Sequence, residues 1–389
     1  MRVVLLPTCG FVAGTGGQRG FRGRWAHQSS STYGGCVVRE ILARFSRVCR
    51  VLAVPLFAVL LLTSTGTATA VDGAPGLPDK VSVLSWNACG AYEGCPHWDK
   101  PELRVDQVVK AVQDDPSVAV IMLQEVCLGL HAEPLQERLG DGWQVQFRAA
   151  PVVRKDPVTG DHEGPTRETG DLGTVHTCLS DKRVPTPEAA PSALLNHDEQ
   201  GNDQRVQAGG RRDLAGVLVA MKKLPGSELH PVNMTFVEDK KQGAACIKDT
   251  GNLLFACSSH FLNKGADPDE LSRTASGRDF RDQTVHLQAQ GYRTVIGGDL
   301  NATPDSKPLQ PLYDGNFEAD VNQKRPTHTS GGKLDHIFFS DYGWDLVGAR
   351  LDYPGDLWGM PSLDLRATFG VLLSDHWMFK GTVNPVTGW

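Results

Sequence analysis

Four apolar segments of strand length in this sequence each end in a polar residue suited to chemistry. They are VSVLSWN ending at Asn87, VIMLQE ending at Glu125, LFACSSH ending at His260, and VIGGDLN, which carries Asp299 and Asn301. In a fifth segment, LLSDHW, Asp375 and His376 stand directly before another apolar run. Runs of this length that are rich in β-branched residues indicate buried strands, so the polar residues lie at strand ends. Carboxylates, a carboxamide and imidazoles gathered there are typical of a hard-metal site with acid/base groups beside it.

Strand and helix signals are mixed along the chain. Val105, Val108, Val109 and Val112 share one helix face, and residues 269–290 are helical in character. Strands are predicted at residues 81–86, 118–124, 143–148, 214–221, 232–237, 294–297, 334–339 and 377–383, with a hairpin around Cys246 and Cys257. Without an internal repeat, this order predicts an α/β domain built on sheets that helices cover. No Rossmann or Walker glycine pattern is present, so no nucleotide cofactor is implied.

The N-terminal segment is predicted to lie outside the folded domain. Residues 1–36 are rich in Gly, Ser and Arg without a hydrophobic period, which indicates a disordered extension or a misplaced start. Residues 37–70 read as a secretory signal, with basic residues from Arg39 to Arg50, the apolar run VLAVPLFAVLLL and an A-x-A cleavage site ending at Ala70. The apolar run is shorter than the about 20 residues that span a bilayer, so we expect cleavage and no stable membrane anchor.

The rest of the chain, residues 71–389, is predicted to be a single domain. A polar stretch at about 151–211 is longer than an ordinary loop, which indicates an insertion held by Cys178. The formal net charge of the whole chain is −6, and loss of the Arg-rich N-terminal segment makes the remainder more acidic. Such a domain holds a polyanion weakly unless a metal ion and a local patch supply positive charge.

Cysteine usage supports export. Of nine cysteines, an even number follow the cleavage site, which indicates disulfides even though many pairings are open. The pairing with most support is Cys246 with Cys257, because the turn at residues 249–252 would place their strands side by side. The other pairs would then be Cys89 with Cys95, across a short loop, and Cys127 with Cys178.

Six motifs occur in the order and approximate spacing of one known family: SWNACG, IMLQEV, SSHF, GGDLN, KLDHIFFS and SDHW. Over about residues 80–384 the chain resembles the endonuclease/exonuclease/phosphatase superfamily, in its deoxyribonuclease I-like and sphingomyelinase-like branches. The resemblance implies a four-layer α/β sandwich, in which two mixed β-sheets lie face to face and helices flank them. It also implies a metal-dependent hydrolase that acts on phosphoric ester bonds.

The resemblance implies a metal site for Mg²⁺ or Mn²⁺. Glu125 matches the glutamate that binds the catalytic ion, with Asn87 beside it, and Asp375 matches a second acidic ligand or a water-positioning group. Oxygen ligands suit these ions, which hold a nonbridging phosphoryl oxygen and lower the pKa of bound water.

The resemblance also implies catalytic roles for five residues. Asp299 and Asn301 match the pair that handles the attacking water and the phosphate. His376 matches the histidine that touches the scissile phosphate, Asp335 matches the aspartate that orients this histidine, and His260 matches a second histidine. An imidazole kept in one tautomer by an aspartate contributes about 10²- to 10⁴-fold to such reactions. Taken singly, each of these residues also fits an ordinary strand end or turn, and only their combination favours catalysis.

Nucleic acid, cleaved without strong sequence preference, is the predicted substrate. Arg212 resembles the phosphate-contacting arginine of the deoxyribonuclease branch, although Arg211 is an equally placed equivalent. Together with Arg205 and Lys333, these residues are candidates for positive potential beside the site. Residues 327–329 lie where relatives often keep a Thr-His pair, and we assign no phosphate contact to them.

The runner-up substrate is a phospholipid such as sphingomyelin, or another small phosphodiester or monoester. A lipid enzyme should expose an apolar loop, and Leu357–Met360 is the late candidate, although packing of Trp358 in a surface loop is the simpler interpretation. A more distant alternative is a non-catalytic binding module on the same fold, which is disfavoured because the metal and histidine set is complete. We expect a secreted, extracellular monomer.

Overall fold

Two six-stranded sheets form the centre of the fold in a computed structural model of the chain. The structure describes residues 76–91, 95–150, 154–155, 162–163, 178, 214–234, 236, 243–320, 322, 325–352 and 373–386. These residues belong to one compact unit, Ala68–Trp389. The predicted N-terminal extension and signal, most of the predicted insertion, and Arg205, Arg211, Arg212 and Trp358 lie outside the described residues.

The strands and helices follow one another in a mixed order. They are β1 Val81–Asn87, α1 Glu102–Asp114, β2 Val118–Cys127, α2 Glu133–Leu139, β3 Trp143–Ala149, β4 Arg154–Lys155, β5 His162–Glu163, β6 Ala215–Lys222, β7 Leu229–Met234, β8 Ala244–Asp249, β9 Leu254–His260, α3 Leu271–Gln288, β10 Arg293–Asp299, β11 Asn316–Glu318, β12 Asp335–Ser340, β13 Trp344–Asp352 and β14 Met378–Pro385. A π-helical segment, Leu128–Ala132, precedes α2, and a 3₁₀ turn, Gln310–Tyr313, precedes β11.

Each large sheet is mixed and contains one parallel pair at its centre. The first sheet has the order β13-β14-β1-β2-β6-β3, and the second has the order β11-β12-β10-β9-β8-β7. Strands β1 and β2 run parallel, as do β9 and β10, and the other pairs are antiparallel. A helix connects the members of each parallel pair, α1 in the first and α3 in the second. The carboxyl ends of each parallel pair therefore meet at one sheet edge, where ligands usually bind in α/β folds.

The sheets pack face to face through apolar side chains that alternate along their strands. Val83 and Met122 from the first sheet pack in one buried cluster with Ile247, Val295 and Phe339 from the second. Burial of each such side chain contributes about 1.5–3 kcal/mol before the entropy cost of ordering. This cluster is the inner layer of the fold.

Helices cover the outer face of each sheet. Val108 of α1 and Leu135 of α2 pack with Ile121 of the first sheet, while Phe280 of α3 packs with Ile296 of the second. The order of layers is helix, sheet, sheet, helix, which confirms the four-layer α/β sandwich expected from the sequence.

The sequence predicted most elements of the described residues and missed seven. The predicted strands and the two helices occur with ends shifted by a few residues, and Val237, at the end of one predicted strand, lies outside the described residues. The elements that were not predicted are the π-helical segment, α2, β4, β5, the 3₁₀ turn, β11 and β13. In β13 the register against β14 shifts between Leu346 and Gly348, so the alternation of buried and exposed side chains that identifies a strand is interrupted.

All three predicted disulfides are present: Cys89–Cys95, Cys127–Cys178 and Cys246–Cys257. Cys246 and Cys257 lie directly opposite each other in the β8–β9 hairpin, as the turn between them indicated. Among the described residues no helix is both long and apolar enough to cross a membrane.

Candidate active site

Strand pairing places Asp299 at the centre of the candidate site. Asp299 ends β10, where it lies opposite His260 of the parallel strand β9 and opposite Asp335 of the antiparallel strand β12. The side chain of Asp299 is only 2% exposed. Three of the predicted catalytic residues therefore share one row across the second sheet.

Glu125 and Asn87 reach the same place from the first sheet. Glu125 has a left-handed backbone, φ 52°, at an irregularity in the pairing of β2 with β6, so it departs from the strand near its end. Asn87 Nδ2 donates to Glu125 Oε1 over 3.1 Å and to Asp299 Oδ2 over 3.0 Å. Asn87 is thus a bridge between the two sheets at the site.

His260 and Asn301 lie on one side of Asp299. His260 Nε2 is 3.4 Å from Asp299 Oδ2 and 3.8 Å from Glu125 Oε1. Asn301 has a left-handed backbone, φ 46°, and its N–H donates to Asp299 Oδ1 over 2.9 Å. Its Nδ2 lies 3.1 Å from His260 Nε2 and donates to the carbonyl of Phe261. This turn fixes the side chain of Asn301 against the histidine.

His376 and Asp335 form a dyad on the other side of Asp299. His376 Nδ1 donates to Asp335 Oδ2 over 2.8 Å, and its Nε2 is 3.6 Å from Asp299 Oδ2. The hydroxyl of Thr327 accepts the backbone N–H of Asp335, and the hydroxyl of Ser374 accepts that of His376. These bonds hold both ends of the dyad in place.

Asp375 lies beside His376, with its side chain 34% exposed. His328 Nε2 donates to Asp375 Oδ2 over 3.3 Å, and the His328 ring packs edge-on against the His376 ring with centroids 4.6 Å apart. The structure therefore brings together all eight predicted site residues that it describes, and His328 is an added neighbour without a predicted role.

Charges around Asp299 shift the pKa values of its partners. Burial raises the pKa of the Asp299 carboxyl, but the charges of His376 and His260 outweigh it and hold this pKa well below its usual range. Burial lowers the pKa of His376, yet the charges of Asp335 and Asp299 raise it to about 10. Burial also lowers the pKa of His260, but the hydrogen bond and charge of Asp299 outweigh burial, so this pKa is raised. At neutral pH the site therefore pairs the ionised Asp299 carboxylate with a protonated His376 imidazole.

Glu125 and Asp375 shift in opposite directions. Burial raises the pKa of Glu125 despite the nearby His260. For Asp375, burial is outweighed by the hydrogen bond from His328 and the charge of His376, which lower its pKa. A carboxyl whose ionised form is disfavoured by burial gains most from a cation beside it.

The donor atoms at this site fit a hard divalent ion. Glu125 and Asp299 present carboxylate oxygens on either side of Asn87, and oxygen ligands are those that Mg²⁺ and Mn²⁺ prefer. Asn87 turns its nitrogen toward both carboxylates, while its oxygen accepts the N–H of Cys89 over 3.0 Å. In this orientation Asn87 aligns the carboxylates, and its role as a ligand stays a prediction.

Lys333 does not supply a cation for substrate, so that expectation from the sequence is wrong. Lys333 Nζ is buried 2.9 Å from Glu318 Oε1, which also accepts from His336 Nδ1 over 2.8 Å. Burial raises the pKa of Glu318, but His336 and Lys333 together lower it to about 2. His336 Nε2 donates to the carbonyl of Ala302, so this network joins β12 to the loop that carries the candidate catalytic residues.

Arg104 supports the β1 end of the site, and sequence reasoning missed it. Its buried guanidinium donates to the carbonyls of Ala88, Cys89, Pro96 and His97. These bonds fasten the loop that the Cys89–Cys95 disulfide closes. An arginine on an amphipathic helix gave no signal of this role, because its acceptors are backbone atoms.

The arrangement of carboxylates and imidazoles at the edge of a mixed α/β sandwich is that of a hydrolytic site. The model of the Endonuclease/Exonuclease/phosphatase family matches residues 84–376, so the chain belongs to this family. Membership confirms the resemblance found in the sequence motifs and supports a hydrolase that acts on phosphoric esters. No curated protein matches the sequence.

Several solved structures are similar in fold. TDP2 from C. elegans is 14% identical, with 78% of this chain and 75% of that chain covered and a TM-score of 0.46. The human Nocturnin catalytic domain is 16% identical, with 79% and 94% covered and a TM-score of 0.48. An endonuclease/exonuclease/phosphatase from Bacteroides vulgatus is 15% identical, with 79% and 100% covered and a TM-score of 0.45.

We expect the Cys89–Cys95 disulfide to support metal binding as well as stability. The two sulfurs and a Glu125 carboxylate oxygen all lie within 4.8 Å of one another, and Cys89 N–H holds the amide of Asn87. The C89A/C95A variant should bind Mn²⁺ about 10-fold more weakly, as when a partner that orients a metal ligand is lost. Titration of Mn²⁺ followed by electron paramagnetic resonance measures this directly.

The matched control is C246A/C257A, which removes a disulfide within the β8–β9 hairpin. It should lower the melting temperature, since a disulfide contributes about 2–4 kcal/mol, and leave Mn²⁺ affinity unchanged. Equal loss of Mn²⁺ affinity in both double variants would show that the Cys89–Cys95 bridge has no particular link to the site.

Proposed function

We propose that the protein is an exported, divalent-metal-dependent phosphodiesterase that cleaves nucleic acid. The observation that carries the proposal is the position of Asp299, whose Oδ2 lies within 3.6 Å of both imidazole Nε2 atoms and is joined through Asn87 to Glu125. One ionised carboxylate between two imidazoles, next to a second carboxyl group, matches the needs of phosphodiester hydrolysis.

The metal ion would be held at Glu125, with Asp299 or Asp375 as a second acidic ligand. When bound, it would neutralise a nonbridging phosphoryl oxygen and lower the pKa of an attacking water. The buried Glu125 carboxyl, whose pKa is raised, fits this role because a cation offsets the cost of its burial.

Asp299 and Asn301 orient the attacking water. Because its pKa is lowered, Asp299 stays ionised and accepts a hydrogen bond from water, although so acidic a carboxyl is a weak proton acceptor. Asn301, fixed by its contacts with Asp299 and Phe261, positions the phosphate or the water beside it. His260, at 3.4 Å from Asp299 Oδ2, stabilises the ionised form of this carboxylate while it orients the water.

His376 stabilises the developing negative charge on the phosphoryl group. Asp335 holds its Nδ1–H, so the Nε2–H is free to turn from Asp299 to a phosphoryl oxygen. A pKa of about 10 keeps the ring protonated at neutral pH, which makes it a charged hydrogen-bond donor. Such a donor in a buried site stabilises an oxyanion more than it would in water.

Two features support export and a nucleic acid substrate. Three disulfides are typical of proteins in oxidising compartments. The match of Arg212 in the sequence to the phosphate-contacting arginine of the deoxyribonuclease branch supports a nucleic acid substrate, because a cation near the phosphate compensates for the acidic charge of the chain.

The substrate prediction is tested with plasmid DNA, RNA, sphingomyelin and a chromogenic phosphodiester, each with Mg²⁺. Hydrolysis of DNA or RNA is expected, and the R212A variant should raise KM for DNA and reduce the salt dependence by about one phosphate contact. R138A is the matched control, because Arg138 is exposed on α2 and paired with Asp106.

Cleavage of sphingomyelin without any action on DNA or RNA would refute the nucleic acid proposal. If that activity were insensitive to R212A and depended on Trp358, the lipid alternative would be supported through insertion of an aromatic side chain into the interface.

A further inference from the structure

A second group of donor atoms lies beside the dyad. His328, Asp375 and His376 each offer one ligand atom, and these atoms lie within 4.8 Å of one another. His328 Nε2 is 3.3 Å from Asp375 Oδ2, which is the spacing of two ligands about 2 Å from a shared tetrahedral ion. One pair of donor atoms in this group therefore already has the separation of two ligands of one ion.

The backbone holds these three residues together. His328 and His376 face each other in a β-bridge, and the N–H of Thr329 donates to the carbonyl of Asp375 over 2.9 Å. The N–H of Trp377 donates to the carbonyl of Thr327 on the other side of the bridge. Little ordering is then needed on binding, which lowers its entropy cost.

A bond at Nδ1 holds the ring of each histidine. His376 Nδ1 donates to Asp335 over 2.8 Å, which is the kind of second bond that metal-binding histidines usually make. His328 Nδ1 lies 2.6 Å from the hydroxyl of Ser330 and accepts the backbone N–H of Ser330 over 3.0 Å, so Nε2 carries the ring proton and loses it when a metal ion binds there. The ring of His376 thus has the environment of a metal ligand, and the ring of His328 is held in position beside it.

The donor set selects the class of metal. Two imidazoles and one carboxylate favour Zn²⁺ over Mg²⁺, which prefers oxygen alone. Three protein ligands leave a fourth position for water, as in open zinc sites. The side chains of His328 and Asp375 are 21% and 34% exposed, so an ion can reach them from solvent.

We propose that His328, Asp375 and His376 bind Zn²⁺ and that the bound ion inhibits hydrolysis. Zn²⁺ bound to His376 Nε2 occupies the atom that would otherwise donate to a phosphoryl oxygen. Carboxylate oxygens of Asp299 and Asp335 lie 3.6 Å and 2.8 Å from the two ring nitrogens and attract a cation to this place. The inhibition rests on the proposed function, whereas the binding does not.

Binding is tested by calorimetric titration of the full protein with Zn²⁺ in the presence of excess Mg²⁺. D335N removes only the partner of His376 Nδ1, so its Zn²⁺ affinity should fall by about 10- to 100-fold. H328Q and H328A each remove a proposed ligand, so their Zn²⁺ affinity should fall by more than that. H286Q is the matched control, since His286 lies on α3 and contacts Gln290. Wild-type affinity in both His328 variants, with folding verified by circular dichroism, would overturn the proposal.

Inhibition is tested by adding Zn²⁺ to the Mg²⁺-supported reaction and normalising each variant to its own activity without Zn²⁺. Wild type and H286Q should be inhibited at a Zn²⁺ concentration that leaves H328Q active. If Zn²⁺ binds through His328 but no phosphodiester is cleaved with Mg²⁺, the proposed function fails and the zinc site stands. If Mg²⁺ supports hydrolysis and Zn²⁺ inhibits H328Q as strongly as wild type, the inhibitory role is wrong.

Discussion

Replacing Glu125 with glutamine should raise the Mg²⁺ concentration needed for half-maximal hydrolysis by about 100-fold and leave little activity at ordinary Mg²⁺. The amide keeps the size of the side chain and loses the charge that holds a hard cation. It should not unfold the protein, because burial already disfavours the ionised carboxyl, as its raised pKa indicates. Initial rates against Mg²⁺ concentration, together with the melting temperature, measure both effects.

Glu137 provides the matched control, since it is an exposed glutamate on α2. E137Q should have the Mg²⁺ requirement of the wild type. An E125Q variant that hydrolyses substrate at the same Mg²⁺ concentration as wild type would exclude Glu125 as the principal ligand.

Replacing Asp335 with asparagine should lower kcat by about 10²- to 10⁴-fold with a smaller change in KM. Asp335 Oδ2 accepts the Nδ1–H of His376, and a carboxamide at this position neither balances the imidazolium charge nor secures that proton on Nδ1. Among the residues that the structure describes, Asp335 Oδ1 has no hydrogen-bond partner, so the side chain of Asp335 makes its hydrogen bond within the dyad. Steady-state kinetics on a soluble phosphodiester measures the effect.

Asp345 is an exposed aspartate on β13 and serves as the control for loss of one charge. D345N should retain wild-type kinetics. Near-native turnover by D335N, with an intact fold by circular dichroism, would remove the orienting role from Asp335.

The sequence predicted the fold class and the location of the site because both depend on local patterns. Buried strands such as β10 carry an apolar run, here Val295–Ile296, so the polar residues at the carboxyl end, Asp299 and Asn301, mark the edge where parallel strands end. The turn at residues 249–252 identified the hairpin with its disulfide for the same reason.

Contacts between residues distant in sequence could not be predicted in this way. The bond of His328 to Asp375 and the burial of Lys333 against Glu318 depend on how separate segments pack, which no local pattern specifies. The orientation of the Asn87 amide depends on Cys89 N–H and on two carboxylates from different sheets. Such interactions decide whether a polar residue binds a metal, orients a ligand or stabilises the fold.

The central claim is that the carboxylates and imidazoles around Asp299 hydrolyse phosphodiesters only with a divalent metal ion. The most direct measurement is hydrolysis of a chromogenic phosphodiester by the purified protein after chelation, and then after addition of Mg²⁺ or Mn²⁺. We predict that chelation abolishes hydrolysis and that either ion restores it. Full activity in excess chelator would contradict the claim.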